Sequence, residues 1–186
     1  MLNALRFLPG TLSFFVFLFF LPLSFSCSRR VERPVMDYGT DKNIKLPEWE
    51  CHQVFSLCRD SLTGTSYLEV TAFPKKEYPG ISLPWLTGDW SSYSTLAIIA
   101  RAHDNRDSIP FNVLIFDGRG PFTYNNRLGK KIIVHTAWTL CETPLSGGLR
   151  MPDGRVMDKK HISQVVFFTG RRPEPTVFDI KEIRLR

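Results

Sequence analysis

Beyond Trp49 no apolar stripe at helical spacing lasts the roughly twelve residues a packed helix needs. Instead, apolar residues alternate with polar ones or gather in short runs closed by turn formers. This pattern predicts strands at Cys51–Leu57, Ser66–Ala72, Gly80–Pro84, Thr95–His103, Phe111–Asp117, Lys131–Thr136, Ser163–Thr169 and Thr176–Arg186. Between them stand Thr63-Gly64, Pro74 to Pro79, Asp104 to Pro110, Gly118 to Pro121, Ser146-Gly147-Gly148 and Gly170 to Pro175, all rich in turn residues. Many short strands at such spacing define an all-β sandwich or barrel. The best helical fragment is a single turn around Met157 to Ile162.

Two runs carry more information. Val113 to Phe116 and Val165 to Phe168 are continuously apolar, as expected of central strands covered on both faces. In the last strand Phe178 and Ile180 have one parity, Ile183 and Leu185 the other. A bulge at Lys181-Glu182 would return all four to one face.

Residues 1–27 have the layout of an export signal, with Arg6, a Phe/Leu-rich run from Thr11 to Leu21, then Pro22, Ser24, Ser26 and Cys27. Small residues before a cysteine predict lipidation of Cys27, although Ser24 stands where such signals usually have Leu. The competing readings are plain cleavage and an uncleaved anchor from Phe7 to Phe25, which is just long enough to span a bilayer. In the anchored case Arg29, Arg30 and Arg33 would favour a cytoplasmic domain, so export is the expectation. The protein is then periplasmic or at the cell surface, attached to the membrane through its N-terminus. Residues 28–48 are polar and aperiodic and predict a flexible tether, which places the folded domain at 49–186.

The net charge of +6 is spread over scattered doublets such as Lys75-Lys76 and Lys159-Lys160. Nucleic-acid binders concentrate such charge on one stripe, so no nucleic-acid partner is expected. With Cys27 lipidated, Cys51, Cys58 and Cys141 remain. On one extended strand Cys51 and Cys58 would lie about 23 Å apart, far beyond disulfide reach, so free thiols are expected. No C-x-x-C or paired-His spacing signals a metal.

The segments TGTSYLEV, EYPGISL, GDWSSYSTLAIIARA, IPFNVLIFDGRG, TYNNRLGKKIIV, VMDKKHISQVVFFTG and VFDIKEIRLR occur in this order. In order and spacing they resemble the galactose-binding-like jelly-roll superfamily. More narrowly, the stretch from Trp49 to Arg186 resembles the carbohydrate-binding-module-like domain appended to bacterial VanZ-like membrane proteins. The resemblance implies two antiparallel sheets and a non-catalytic carbohydrate-binding role, with no cofactor. Some relatives hold a structural calcium. Here Lys181-Glu182 departs from their acidic pattern, and Asp179 and Glu50 are the remaining oxygen donors, too few for a hard cation.

A sugar site needs flat apolar rings and planar polar groups. Trp85, Trp90 and Tyr93 supply the first; Asp117, Tyr124, Asn126 and Arg127 supply the second around one turn. Against this, Trp90 and Tyr93 could pack a sandwich edge, and Asp117 could pair with Arg127 to fix a loop. Trp138 is expected in the core, and the dispersed histidines are expected to be ordinary strand residues. The leading function is recognition of a cell-envelope or extracellular carbohydrate. The alternatives are a protein–protein module of an envelope assembly and a glycan-active hydrolase or lyase. No G-x-S-x-G, phosphate loop or H-E-x-x-H occurs, so no enzymatic activity is expected.

Overall fold

In the computed structural model the residues described are 32–47, 53–73, 79–103, 108–123, 125–170 and 172–186. They form strands β1 (Arg33–Asp37), β2 (Gln53–Arg59), β3 (Ser66–Ala72), β4 (Gly80–Ser82), β5 (Thr95–His103), β6 (Ser108–Phe116), β7 (Leu128–His135), β8 (Thr139–Pro144), β9 (Gln164–Thr169) and β10 (Thr176–Leu185). One 3-10 turn, Lys159–His161, sits where the single helical turn is predicted. No helix among the described residues is long and apolar enough to cross a membrane.

The strands make two antiparallel sheets, a jelly-roll sandwich. The six-stranded sheet runs β2-β3-β10-β5-β8 with β1 added beside β10, and the four-stranded sheet runs β4-β9-β6-β7. In the larger sheet β10 has β5 along one side. Its other side pairs with β3 over Thr176–Ile180 and with β1 over Glu182–Leu185. The register against β5 shifts between Ile180 and Glu182, where the parity change predicts a bulge. The bulge keeps Phe178, Ile180, Ile183 and Leu185 in the core despite their unequal spacing.

Alternate residues of both sheets meet between them. Leu68, Val70, Ile98, Ala100 and Phe178 face Ile81, Phe111, Val113, Ile115, Val165 and Phe167 in one cluster. Phe111 stacks on Phe167 at 4.3 Å between ring centroids, and Phe178 of the opposite sheet meets Phe111 edge-on at 5.0 Å. These rings bridge the layers with geometry aromatic pairs favour. Leu114, Phe116 and Val166 are also buried, on the other face of the small sheet, so β6 and β9 are covered on both sides as expected. Gly80 is required where β4 meets β9: a Cβ there would come within 2.4 Å of the Phe168 Cβ and 2.5 Å of the Phe167 carbonyl oxygen.

One boundary is corrected. Part of the stretch read as a tether is folded, because β1 adds to the large sheet and Met36 and Tyr38 are only 2% exposed. The Tyr38 hydroxyl donates to the Lys45 carbonyl at 3.2 Å, and burial pushes its pKa upward. Strand β8 also lies outside the predicted set. Cys58 and Cys141 carry free thiols, whereas Cys27 and Cys51 lie outside the described residues.

Candidate functional site

Several of the predicted ligand residues are engaged in packing or in contacts between loops. Trp90 is 1% exposed and belongs to the core, so it offers no stacking surface, a correction to its assignment as a ligand residue. Its amide donates to the Lys159 carbonyl at 2.7 Å. Tyr93 and Trp85 are half-buried and pack against the same core. The Trp85 Nε1 is buried without a hydrogen-bond partner among the described residues. Tyr93 is also pinned through its backbone, since Lys159 Nζ donates to its carbonyl and to that of Leu145.

Asp117 and Asn126 form a second lock. The Asp117 side chain has no exposure and accepts Arg155 Nη1 at 2.5 Å and Nη2 at 3.0 Å. It also accepts the amides of Asp158 at 2.8 Å and Arg119 at 3.3 Å. Arg155 takes the place expected of Arg127, which is half-buried beside β7. Arg155 Nη2 further donates to the Asn126 Oδ1, while Asn126 Nδ2 donates to the Pro121 carbonyl at 3.0 Å. Burial alone would raise the Asp117 pKa, but the Arg155 guanidinium and the two amides reverse that and hold it low. Gly118, at φ 62, makes the left-handed turn that brings the Arg119 amide back to Asp117. Tyr124 lies outside the described residues. These polar groups satisfy one another, which leaves Asp117 and Asn126 little capacity for sugar hydroxyls.

A different constellation occupies the outer face of the six-stranded sheet. In β3 and β10, Tyr67, Glu69 and Asp179 have the parity opposite to core residues Leu68, Val70, Phe178 and Ile180. Asp179 lies directly across from Glu69 on one side and from Arg101 on the other. His103 follows two residues along β5, and Trp138 precedes β8. Arg101 is held between two aromatic rings, its guanidinium carbon 4.8 Å from the Tyr67 centroid and 4.5 Å from that of Trp138. The rings themselves meet edge-on at 5.6 Å. Trp138 therefore stands half-buried on this face rather than in the core, a second correction.

Charge on this face centres on Asp179, whose side chain has no exposure. Its Oδ2 accepts Arg101 Nε at 2.5 Å and contacts His103 Nε2 at 2.8 Å. Its Oδ1 is buried with no hydrogen-bond partner among the described residues. Leaving a carboxylate oxygen orphaned costs about 1–3 kcal/mol or more, so a ligand that satisfied it would gain that amount. Arg101 also reaches Asp60 at 3.8 Å. Burial lowers the Arg101 pKa, but Asp179 outweighs it and the net shift is upward, so the guanidinium stays charged. Glu69, His103 and Asp179 each bring a ligand atom within 4.8 Å of the other two.

Sequence reasoning missed most of this face. Of its acidic residues the sequence singles out Asp179 alone as an oxygen donor, together with Glu50, which lies outside the described residues. The available signal was parity: Tyr67, Glu69, Arg101, His103 and Asp179 are polar or amphipathic residues alternating with core positions on strands already located.

The chain matches no protein-family model and no curated protein. Solved structures do share its fold. A family 11 carbohydrate-binding module from Clostridium thermocellum, solved with a β-1,3-1,4-mixed-linked tetrasaccharide, superposes with a TM-score of 0.57 at 18% identity. That match covers 83% of this chain and 94% of the module. A family 30 carbohydrate-binding module matches with a TM-score of 0.51 and 11% identity, over 84% of this chain and 88% of that one. An exo-β-agarase matches with a TM-score of 0.61 and 13% identity. There the match covers 82% of this chain but 24% of the agarase, so the chain spans about a quarter of that enzyme. The protein thus has the sandwich architecture seen in carbohydrate-binding modules.

Proposed function

We propose that the protein is a non-catalytic glycan-binding module and that the outer face of the six-stranded sheet receives the sugar. The observation that carries this is the Tyr67–Arg101–Trp138 stack beside Glu69, His103 and the orphaned oxygen of Asp179. Aromatic rings meet the C–H faces of pyranose rings, while carboxylates, guanidinium and imidazole meet their hydroxyls. The ligand class with most support is an extended neutral β-glycan, the kind of chain bound in the family 11 module of the same fold. Hydrolysis fits the face less well. The carboxylates of Glu69 and Asp179 are close, but the Asp179 Oδ2 is held by Arg101 and His103, which fixes that carboxylate as a static contact rather than one member of a catalytic acid–base pair.

The same reading places the module outside the cytoplasm, tethered through a lipidated Cys27, and takes an envelope or extracellular glycan as its target. The export signal in residues 1–27 motivates this, and metabolic lipid labelling that is lost in Cys27→Ala tests it.

Intrinsic tryptophan fluorescence tests the binding. Titration with mixed-linked β-glucan and agarose oligosaccharides is expected to give a saturable change with at least one. Trp138→Ala is expected to weaken that binding by at least about tenfold, the effect of removing an aromatic anchor. Trp85→Ala is expected to leave it within about twofold. No saturable change with any glycan, or an undiminished response in Trp138→Ala, would count against the proposal.

A further inference from the structure

We infer that Glu69, His103 and Asp179 form a binding site for one divalent first-row transition-metal cation, Zn2+ being the best match. The site lies on the same sheet face as the proposed glycan contacts but does not require glycan binding, and the inference rests on three observations. First, one imidazole nitrogen and two carboxylates converge within 4.8 Å of one another, a donor set suited to Zn2+. Second, Asp179 is fully buried at its side chain, yet its Oδ1 has no hydrogen-bond partner among the described residues. A buried, unsatisfied carboxylate oxygen is a coordination position waiting for a donor or a cation. Third, Arg101 fixes Oδ2 through its Nε at 2.5 Å, which orients the Asp179 carboxylate as second-sphere groups orient metal ligands.

The backbone supplies the rigidity. Asp179 and Glu69 are direct cross-strand partners, and Val177, two residues before Asp179 on the same face, is the partner of His103. Ligands about 2.0–2.2 Å from a common tetrahedral ion lie roughly 3.4 Å apart, so this site, with ligand atoms within 4.8 Å of one another, must contract by up to about 1.4 Å. The half-buried Glu69 and the exposed His103 can turn inward, whereas Asp179 stays in place. His103 Nε2 then exchanges its contact with Oδ2 for the cation, and a fourth position remains open to solvent. The carboxylate charges offset the nearby Arg101, which is already engaged by Asp179 and Asp60.

The test is titration calorimetry of the full chain, purified in mild detergent, stripped with chelator and given Zn2+ without glycan. Wild type is expected to bind one ion with a dissociation constant in the micromolar range or tighter. Glu69→Gln and His103→Gln, each confirmed folded by near-ultraviolet circular dichroism, are both expected to bind at least tenfold more weakly. Co2+ is expected to give tetrahedral visible absorption bands in wild type that are lost in either variant. Absence of saturable one-to-one binding would overturn the inference. So would Zn2+ affinity unchanged in both variants, which would place the ion on other histidines or cysteines. Glycan titrations with chelator present report on the sugar face separately, so either idea can fail alone.

Discussion

Asp117 illustrates how one side chain sets the behaviour of the loops around it. Its carboxylate is shielded from solvent and meets Arg155 and two amides, while the Arg155 side chain remains 32% exposed. Breaking a buried pair costs about 3–5 kcal/mol, and the partial exposure of Arg155 points to the lower end. Asp117→Ala is therefore expected to lose roughly 3 kcal/mol in urea unfolding without weakening glycan binding. The pH dependence has a definite sign. Because the folded pKa is depressed, the stabilisation is complete above the unfolded value of about 3.9 and is lost as pH falls through the lower folded value. Below about pH 4 the urea midpoint of wild type is expected to fall more steeply than that of Asp117→Asn. Cys141 is inert by the same physics, since burial pushes its thiol up to about 11. Sequence inspection picks out Asp117 and Asn126 but not Arg155, because their partner lies 38 and 29 residues further on.

Elements were legible wherever both faces of a strand announced themselves. The ranges Ser66–Ala72 and Thr95–His103 follow directly from alternation, and the bulge in β10 follows from its parity change. Strand β8 was hidden because its inward residues are Cys141 and Thr143 rather than large aliphatics, and because it ends in Pro144 at a sheet edge. Strand β1 was hidden for a related reason: RPVMD is short and polar, and Met36 alone marks its buried side. A chain beginning at residue 49 would lose Met36 and Tyr38 from the core. It is expected to be at least about 3 kcal/mol less stable in denaturant than one beginning at residue 28. Equal stability of the two would contradict the role given to β1. At β4, Gly80→Ala forces a Cβ against Phe168 and the Phe167 carbonyl, so an overpacking cost of about 1–3 kcal/mol is expected by thermal or urea unfolding.

For the whole molecule, alternation determines the sandwich but not which outer surface works. Residues facing away from a core look alike in sequence, whether they are solvated or part of a site. Only pairing across β3, β10 and β5 places Tyr67, Glu69, Asp179, Arg101 and His103 together. Trp85 and Trp90 read in sequence as a loop platform, yet Trp90 fills the core and Trp138 stands on the open face. Assigning recognition to that face can be tested residue by residue. In a backbone amide and tryptophan indole NMR titration with a bound β-glycan, the account predicts shifts in the Trp138 indole and in the amides of β3, β5 and β10 near Glu69, Arg101 and Asp179. Shifts confined to Trp85 and the loop from Asp117 to Arg127, with the sheet face silent, would contradict it.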